Sequence, residues 1–136
     1  MMLYLDNAAT TLKKPLSVYA TLFKSTLFSG GNAGRGGHKM SMDAVRAIVD
    51  TQDLIAQLFN IKKAENIVFT QNATYALNTA ILGTMSNGGH IVVTEMDHNS
   101  VLRPACLPGN YTVVKADKSG YVHAEDVEKA VRKDTK

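Results

Sequence analysis

Cysteine is almost absent from this chain: Cys106 is the only one among 136 residues, so no internal disulfide can form and a reducing compartment is expected. Tryptophan is missing and aromatic residues make up only 7%, which leaves few of the stacking platforms that single-stranded nucleic acid requires. No apolar run is long enough to span a bilayer, and Met1-Met2-Leu3-Tyr4-Leu5 meets Asp6 too early for the apolar region of a signal peptide. A cytoplasmic location without membrane partners is the resulting expectation. Close histidine spacing is also lacking: His38, His90, His98 and His123 are dispersed, so no metal is expected. The net charge of +3 does not form a basic stripe, because Lys13-Lys14, Lys62-Lys63 and Arg132-Lys133 are separated by acidic residues, and nucleic acid is not an expected partner.

What is present is an ordinary globular composition, 45% apolar and 20% charged, on a chain long enough to bury a core without staples. Leu3 to Leu5 reads as a short extended segment, and Pro15 suits the first turn of a helix carrying Val18, Leu22, Phe23, Thr26 and Leu27 on one face. That helix is expected to stop before Gly30-Gly31. Five glycines between Ser29 and Gly37 make a loop able to approach other groups closely. A second helix follows, with Ser41 as its N-cap and Val45, Ile48, Val49, Gln52, Ile55, Ala56 and Phe59 at helical spacing.

Beyond it, Ile67 to Thr70 reads as a buried strand, Ala73 to Met85 as a helix, Ile91 to Val93 and Tyr111 to Val114 as strands, and Ala124 to Arg132 as a last short helix. Strands alternating with helices predict an α/β fold with a largely parallel sheet. Cys106 reads as a packed thiol.

Two junctions can carry chemistry. Asn72-Ala73-Thr74 lies where a strand turns into a helix, a place where free N–H groups and the helix dipole favour phosphate; small Ala73 lets the backbone close on an anion and the Thr74 hydroxyl adds a donor. An ordinary N-cap would use the same residue types. Asp97-His98-Asn99 follows a strand, at the sheet end where α/β proteins bind ligands, and His98 there can lie on an aromatic ring or move a proton. A histidine that merely caps the helix beginning near Ser100 is the competing reading.

Four segments taken in order, Tyr4 to Thr11, Gly31 to His38, Phe69 to Thr74 and Met96 to Ser100, resemble the N-terminal part of a cysteine desulfurase, within the class V aminotransferase superfamily of fold type I pyridoxal-phosphate enzymes. The resemblance implies a three-layer αβα large domain with a mostly parallel sheet, present in part: residues 1–40 as arm, helix and glycine loop, and 41–136 as the first portion of the cofactor-binding domain. It implies pyridoxal 5'-phosphate as cofactor, with Ala73 and Thr74 on its phosphate and His98 stacked on its ring as the catalytic histidine. Asn7 and Ala8 would line the substrate side, Asn32 would fix the substrate carboxylate, and Arg35 would reach the active site of a partner subunit in a homodimer. The implied reaction removes sulfur from L-cysteine, giving L-alanine and an enzyme persulfide, with a sulfur-acceptor protein as a further partner of the complete enzyme.

The family's Schiff-base lysine, pyridinium-pairing aspartate and sulfur-accepting cysteine all fall downstream of the region matched. Lys39, beside His38, imitates the lysine but stands ahead of the phosphate turn. A truncated chain with little activity of its own and with exposed sheet edges is therefore expected. Selenocysteine lyase or another class V activity shares the same early motifs; a noncatalytic interaction module and a small phosphate-binding protein are the alternatives from other classes. The last is disfavoured because the glycine loop lacks a Gly-Lys-Ser/Thr ending.

Overall fold

The structure is a computed structural model and describes residues 3–136. Two compact units succeed each other, Met1–Ile67 and Val68–Lys136. The first contains helix α1 (Leu16–Phe28), helix α2 (Lys39–Leu58) and a single 3-10 turn at Ala64–Asn66. Pro15 enters α1 with φ −53°, the value its ring already imposes. The helix closes at Ser29, whose N–H donates to the Ser25 carbonyl at 3.0 Å, one residue before Gly30. Its apolar side chains are not covered: no residue of α1 is buried, and Leu22 and Phe23 are each 65% exposed.

Helix α2 begins earlier than expected. His38, not Ser41, is the N-cap, its Nδ1 accepting from the Ser41 N–H at 3.4 Å. Ser41 serves the loop instead. It is fully buried, and its hydroxyl donates towards the carbonyls of Asn32 and, at 3.1 Å, Arg35. This ties the glycine loop onto the first turn of α2. The contact requires Gly31, since a Cβ there would collide with the backbone of Met40 and Ser41. At the other end Asn60 adopts φ 54°, and Ile61 N–H donates to the Ala56 carbonyl at 2.8 Å, a left-handed stop of Schellman type.

The second unit runs α3 (Ala73–Met85), β1 (Ile91–Thr94), α4 (Asn99–Cys106), β2 (Tyr111–Val114) and α5 (Ala124–Ala130). β1 and β2 pair in parallel, from Ile91 opposite Tyr111 to Thr94 opposite Val114. The α/β class with parallel pairing is thus realised as a β1–α4–β2 crossover. Helix α4 packs on both α3 and β1, and Met85, Val93, Pro104, Ala105 and Val114 are buried there.

The strand expected at Ile67 to Thr70 does not form. No strand among the described residues lies beside it, so its backbone has no ladder to join; the Ile67 carbonyl instead accepts from Gln52 Nε2 at 2.7 Å. Val68 is left 78% exposed. Helix α5 ends at Ala130 rather than Arg132, because the backbone after it turns towards the sheet. Arg132 N–H donates to Thr135 Oγ1 at 2.8 Å, and Thr135 forms an isolated parallel bridge with His90.

His90 is fully buried and yet completely satisfied. Its Nδ1 lies 2.8 Å from Thr135 Oγ1 and its Nε2 2.8 Å from Thr112 Oγ1, while Arg132 Nη2 donates to the same Thr112 hydroxyl at 3.1 Å. Cys106, expected to be packed, is exposed at the end of α4. Pro104 and Ala105 occupy the inward positions of that last turn, which leaves Cys106 on the outer side, where its thiol raises the pKa of the Tyr111 phenol.

Candidate functional site

The start of α3 is built by Asn72. Its backbone is extended, with φ −166° and ψ 169°, and its Oδ1 accepts from the Tyr75 N–H at 2.9 Å. The Asn72 carbonyl takes the Ala76 N–H at 3.2 Å. That leaves the N–H groups of Ala73 and Thr74 without an acceptor among the described residues. The Thr74 hydroxyl is likewise uncommitted, since only the Thr74 carbonyl is engaged, by Asn78 Nδ2 at 2.9 Å. Two backbone donors, one hydroxyl and the positive end of a 13-residue helix suit a phosphate group.

His98 caps α4 and also faces the cleft. Its Nδ1 accepts from the Ser100 N–H at 3.1 Å and lies 2.9 Å from Ser100 Oγ. Because an amide N–H can only donate, Nδ1 must be the unprotonated nitrogen of the neutral ring, and the ring proton sits on Nε2. Asp97, one residue earlier, is turned away: its Oδ2 accepts from Thr94 N–H at 2.7 Å and from Thr94 Oγ1 at 3.1 Å.

Thr74 and His98 come together as lining residues of one open cleft of about 330 Å³, with Asn78, Asn99, Ser100 and Arg103. No carboxylate lines it. Ala73 stands at its margin as the first residue of α3. Asn78 and Arg103 belong to no motif in the sequence; each lies one helical turn beyond a residue that does, Thr74 and Asn99, and that four-residue spacing is the available signal.

The other expected site residues belong to the first unit. Asn7 and Ala8 are exposed and irregular, Asn7 N–H donating to the Leu5 carbonyl at 3.2 Å. Asn32 is exposed; its Oδ1 accepts from Gly34 N–H at 2.7 Å, which leaves its Nδ2 donors unused. Arg35 shares the same turn through its N–H on the Asn32 carbonyl at 3.3 Å, and its guanidinium is unpaired among the described residues. Lys39 is held by Asp43, 2.9 Å away at helical spacing; that hydrogen bond lowers the Asp43 pKa.

Comparison with known proteins gives a consistent set of likenesses. The family model described as aminotransferase class-V matches residues 3–136. A probable cysteine desulfurase of Aeropyrum pernix is 39% identical over 105 residues, covering 74% of this chain and 25% of the relative. The cysteine desulfurase IscS of Dictyoglomus turgidum is 33% identical over 141 residues, covering 97% of this chain and 35% of the relative. A solved structure described as SspA in complex with cysteine superposes with a TM-score of 0.80 at 26% identity, over 94% of this chain and 38% of that one. The chain therefore spans between a quarter and two fifths of the length of these relatives.

Proposed function

Because this chain belongs to the aminotransferase class-V family, which is pyridoxal-phosphate dependent, we propose that it forms the N-terminal part of a cysteine desulfurase, a protein that takes sulfur from L-cysteine and leaves L-alanine. The observation that supports this most is the meeting of Thr74 and His98, read from two separate motifs, in one cleft without a carboxylate. Bound pyridoxal phosphate supplies an electron sink for the carbon that bears the substrate amine. The chain's own residues hold and orient. Ala73 N–H, Thr74 N–H and the Thr74 hydroxyl anchor the phosphate end, and the dipole of α3 favours the anion. His98, its orientation fixed by Ser100, offers a flat face to an aromatic ring and a proton at Nε2.

Motif likeness assigns Asn7 and Ala8 to the substrate side. Asn32 suits the substrate carboxylate, since its unused Nδ2 is a donor and a carboxylate only accepts. Arg35 acts across a homodimer in this reading, and a sulfur-acceptor protein serves the complete enzyme. A reducing cytoplasm suits a chain whose single thiol is exposed.

Cofactor retention tests the proposal. Wild type, Thr74→Val and His98→Ala are loaded with pyridoxal 5'-phosphate, dialysed, and compared by absorbance of the retained cofactor. Both variants are expected to lose it faster than wild type; equal retention in all three would sink the assignment. The chain by itself is expected to release little sulfide from cysteine, because none of its motifs supplies the family's lysine and cysteine chemistry.

A further inference from the structure

Arg103 is the one cationic side chain in the cleft that the family motifs leave without a role, and it carries an inference that rests on the reading above. It belongs to the last turn of α4. Side chains on a helix lean towards its N-terminus, so Arg103 reaches back over Asn99 and Ser100 into the space lined also by Thr74 and His98.

Its electrostatic setting separates it from Arg46 and Arg132, the other two arginines that follow the glycine loop. Arg46 has Asp43 at 3.7 Å, and Arg132 donates to the Thr112 hydroxyl. Arg103 has neither an ion-pair nor a hydrogen-bond partner among the described residues. The two carboxylates that precede α4 in the sequence are committed elsewhere, Asp97 to Thr94 and Glu95 to the Ala116 N–H at 3.1 Å. The lining thus combines one permanent cation, the unpaired donors of α3 and no acidic group. This lining complements an anion with several acceptor oxygens.

We propose that Arg103 is a positioning residue for the phosphate monoester of the cofactor, supplying the full positive charge that the neutral donors of Ala73 and Thr74 cannot. A phosphate monoester at neutral pH carries between one and two negative charges. Hydroxyl and amide donors satisfy its oxygens but leave that charge uncompensated.

The test compares binding of pyridoxal 5'-phosphate, of pyridoxal without its phosphate, and of inorganic phosphate to the full chain by isothermal titration, for wild type, Arg103→Gln and Arg103→Lys. Circular dichroism of each variant verifies that the exposed substitution leaves the fold in place. Arg103→Gln is expected to weaken pyridoxal 5'-phosphate and inorganic phosphate by about tenfold or more, the usual scale for a hydrogen bond to a charged group. Pyridoxal binding should be the same in all three proteins, and Arg103→Lys should keep most of the phosphate affinity. Unaltered pyridoxal 5'-phosphate affinity in Arg103→Gln would overturn the role of Arg103 and leave the proposed function standing. An equal loss for pyridoxal would overturn it as well, since the residue would then act on the ring or the fold rather than the phosphate. Wild type that binds neither pyridoxal 5'-phosphate nor inorganic phosphate would overturn both readings together.

Discussion

Single residues carry several of the constraints in this chain, and Gly31 carries one of the tightest. Any side chain there meets the backbone of Met40 and Ser41, and backbone cannot step aside as a flexible side chain can. Gly31→Ala is expected to displace the glycine loop from α2 and to cost about 1–3 kcal/mol, the scale of overpacking in a well-filled contact; thermal unfolding measures it. Asp117 sets a different limit. Its carboxylate accepts from Ser119 Oγ at 2.6 Å, Ser119 N–H at 2.8 Å, Tyr121 N–H at 3.0 Å and His123 Nε2 at 3.2 Å. The Ser119 hydroxyl first, then the two amides and His123, hold its pKa far below the usual carboxylate range. A depressed folded-state pKa contributes stability that is fully present above the unfolded value, about 3.9, and is lost as the pH falls below it. Asp117→Asn should therefore lower the melting temperature at neutral pH and lower it less at pH values under about 3. Equal destabilisation at both would refute the charged cluster.

At the scale of elements, the caps decide where helices begin. Three N-cap side chains accept from first-turn amides, those of His38, Asn72 and His98. Asn72→Ala is expected to destabilise the protein by about 1 kcal/mol and to fray the turn that presents the Ala73 and Thr74 amides, so weaker phosphate binding should accompany the loss in a urea titration. Helical periodicity and the Pro15 and Gly30 boundaries make α1, α2 and α3 legible in the sequence, as the β-branched runs do β1 and β2. The cap of α2 is not legible, because histidine is an unusual acceptor there and Ser41 has the commoner chemistry. Ile67 to Thr70 misleads for another reason. Its residues are those of a strand, but a strand needs a neighbour, and sequence propensity does not supply one. The cleft is half legible: Thr74 and His98 lie in recognisable motifs, whereas Asn78 and Arg103 join them only through the packing of α4 on α3.

For the whole molecule, surface area is the governing quantity. The chain exposes 11098 Å², whereas two separate compact units of half its mass would expose about 8,400 Å² together by the usual scaling. Large apolar side chains contribute to the exposed area, among them Leu16 at 85%, Phe28 at 71% and Val68 at 78%. Exposed apolar surface on this scale favours association. Sedimentation at increasing concentration is expected to show species heavier than the 14.7 kDa chain, and Leu22→Glu, Phe23→Glu in α1 should reduce them; a single monomeric boundary at all concentrations would contradict this.

The enclosure of His90 also has a consequence for the order in which the protein is made. One of its two hydroxyl partners, Thr135, is 45 residues later in the chain. At ribosomal rates of about 5–20 residues per second, His90 is synthesised roughly 2–9 s before that partner exists. Throughout that interval water must serve its Nδ1, so β1 cannot be sealed on that side while the chain is still growing through residue 134. Pairing of β1 with β2 can precede this event, but closure around the imidazole cannot precede the synthesis of Thr135.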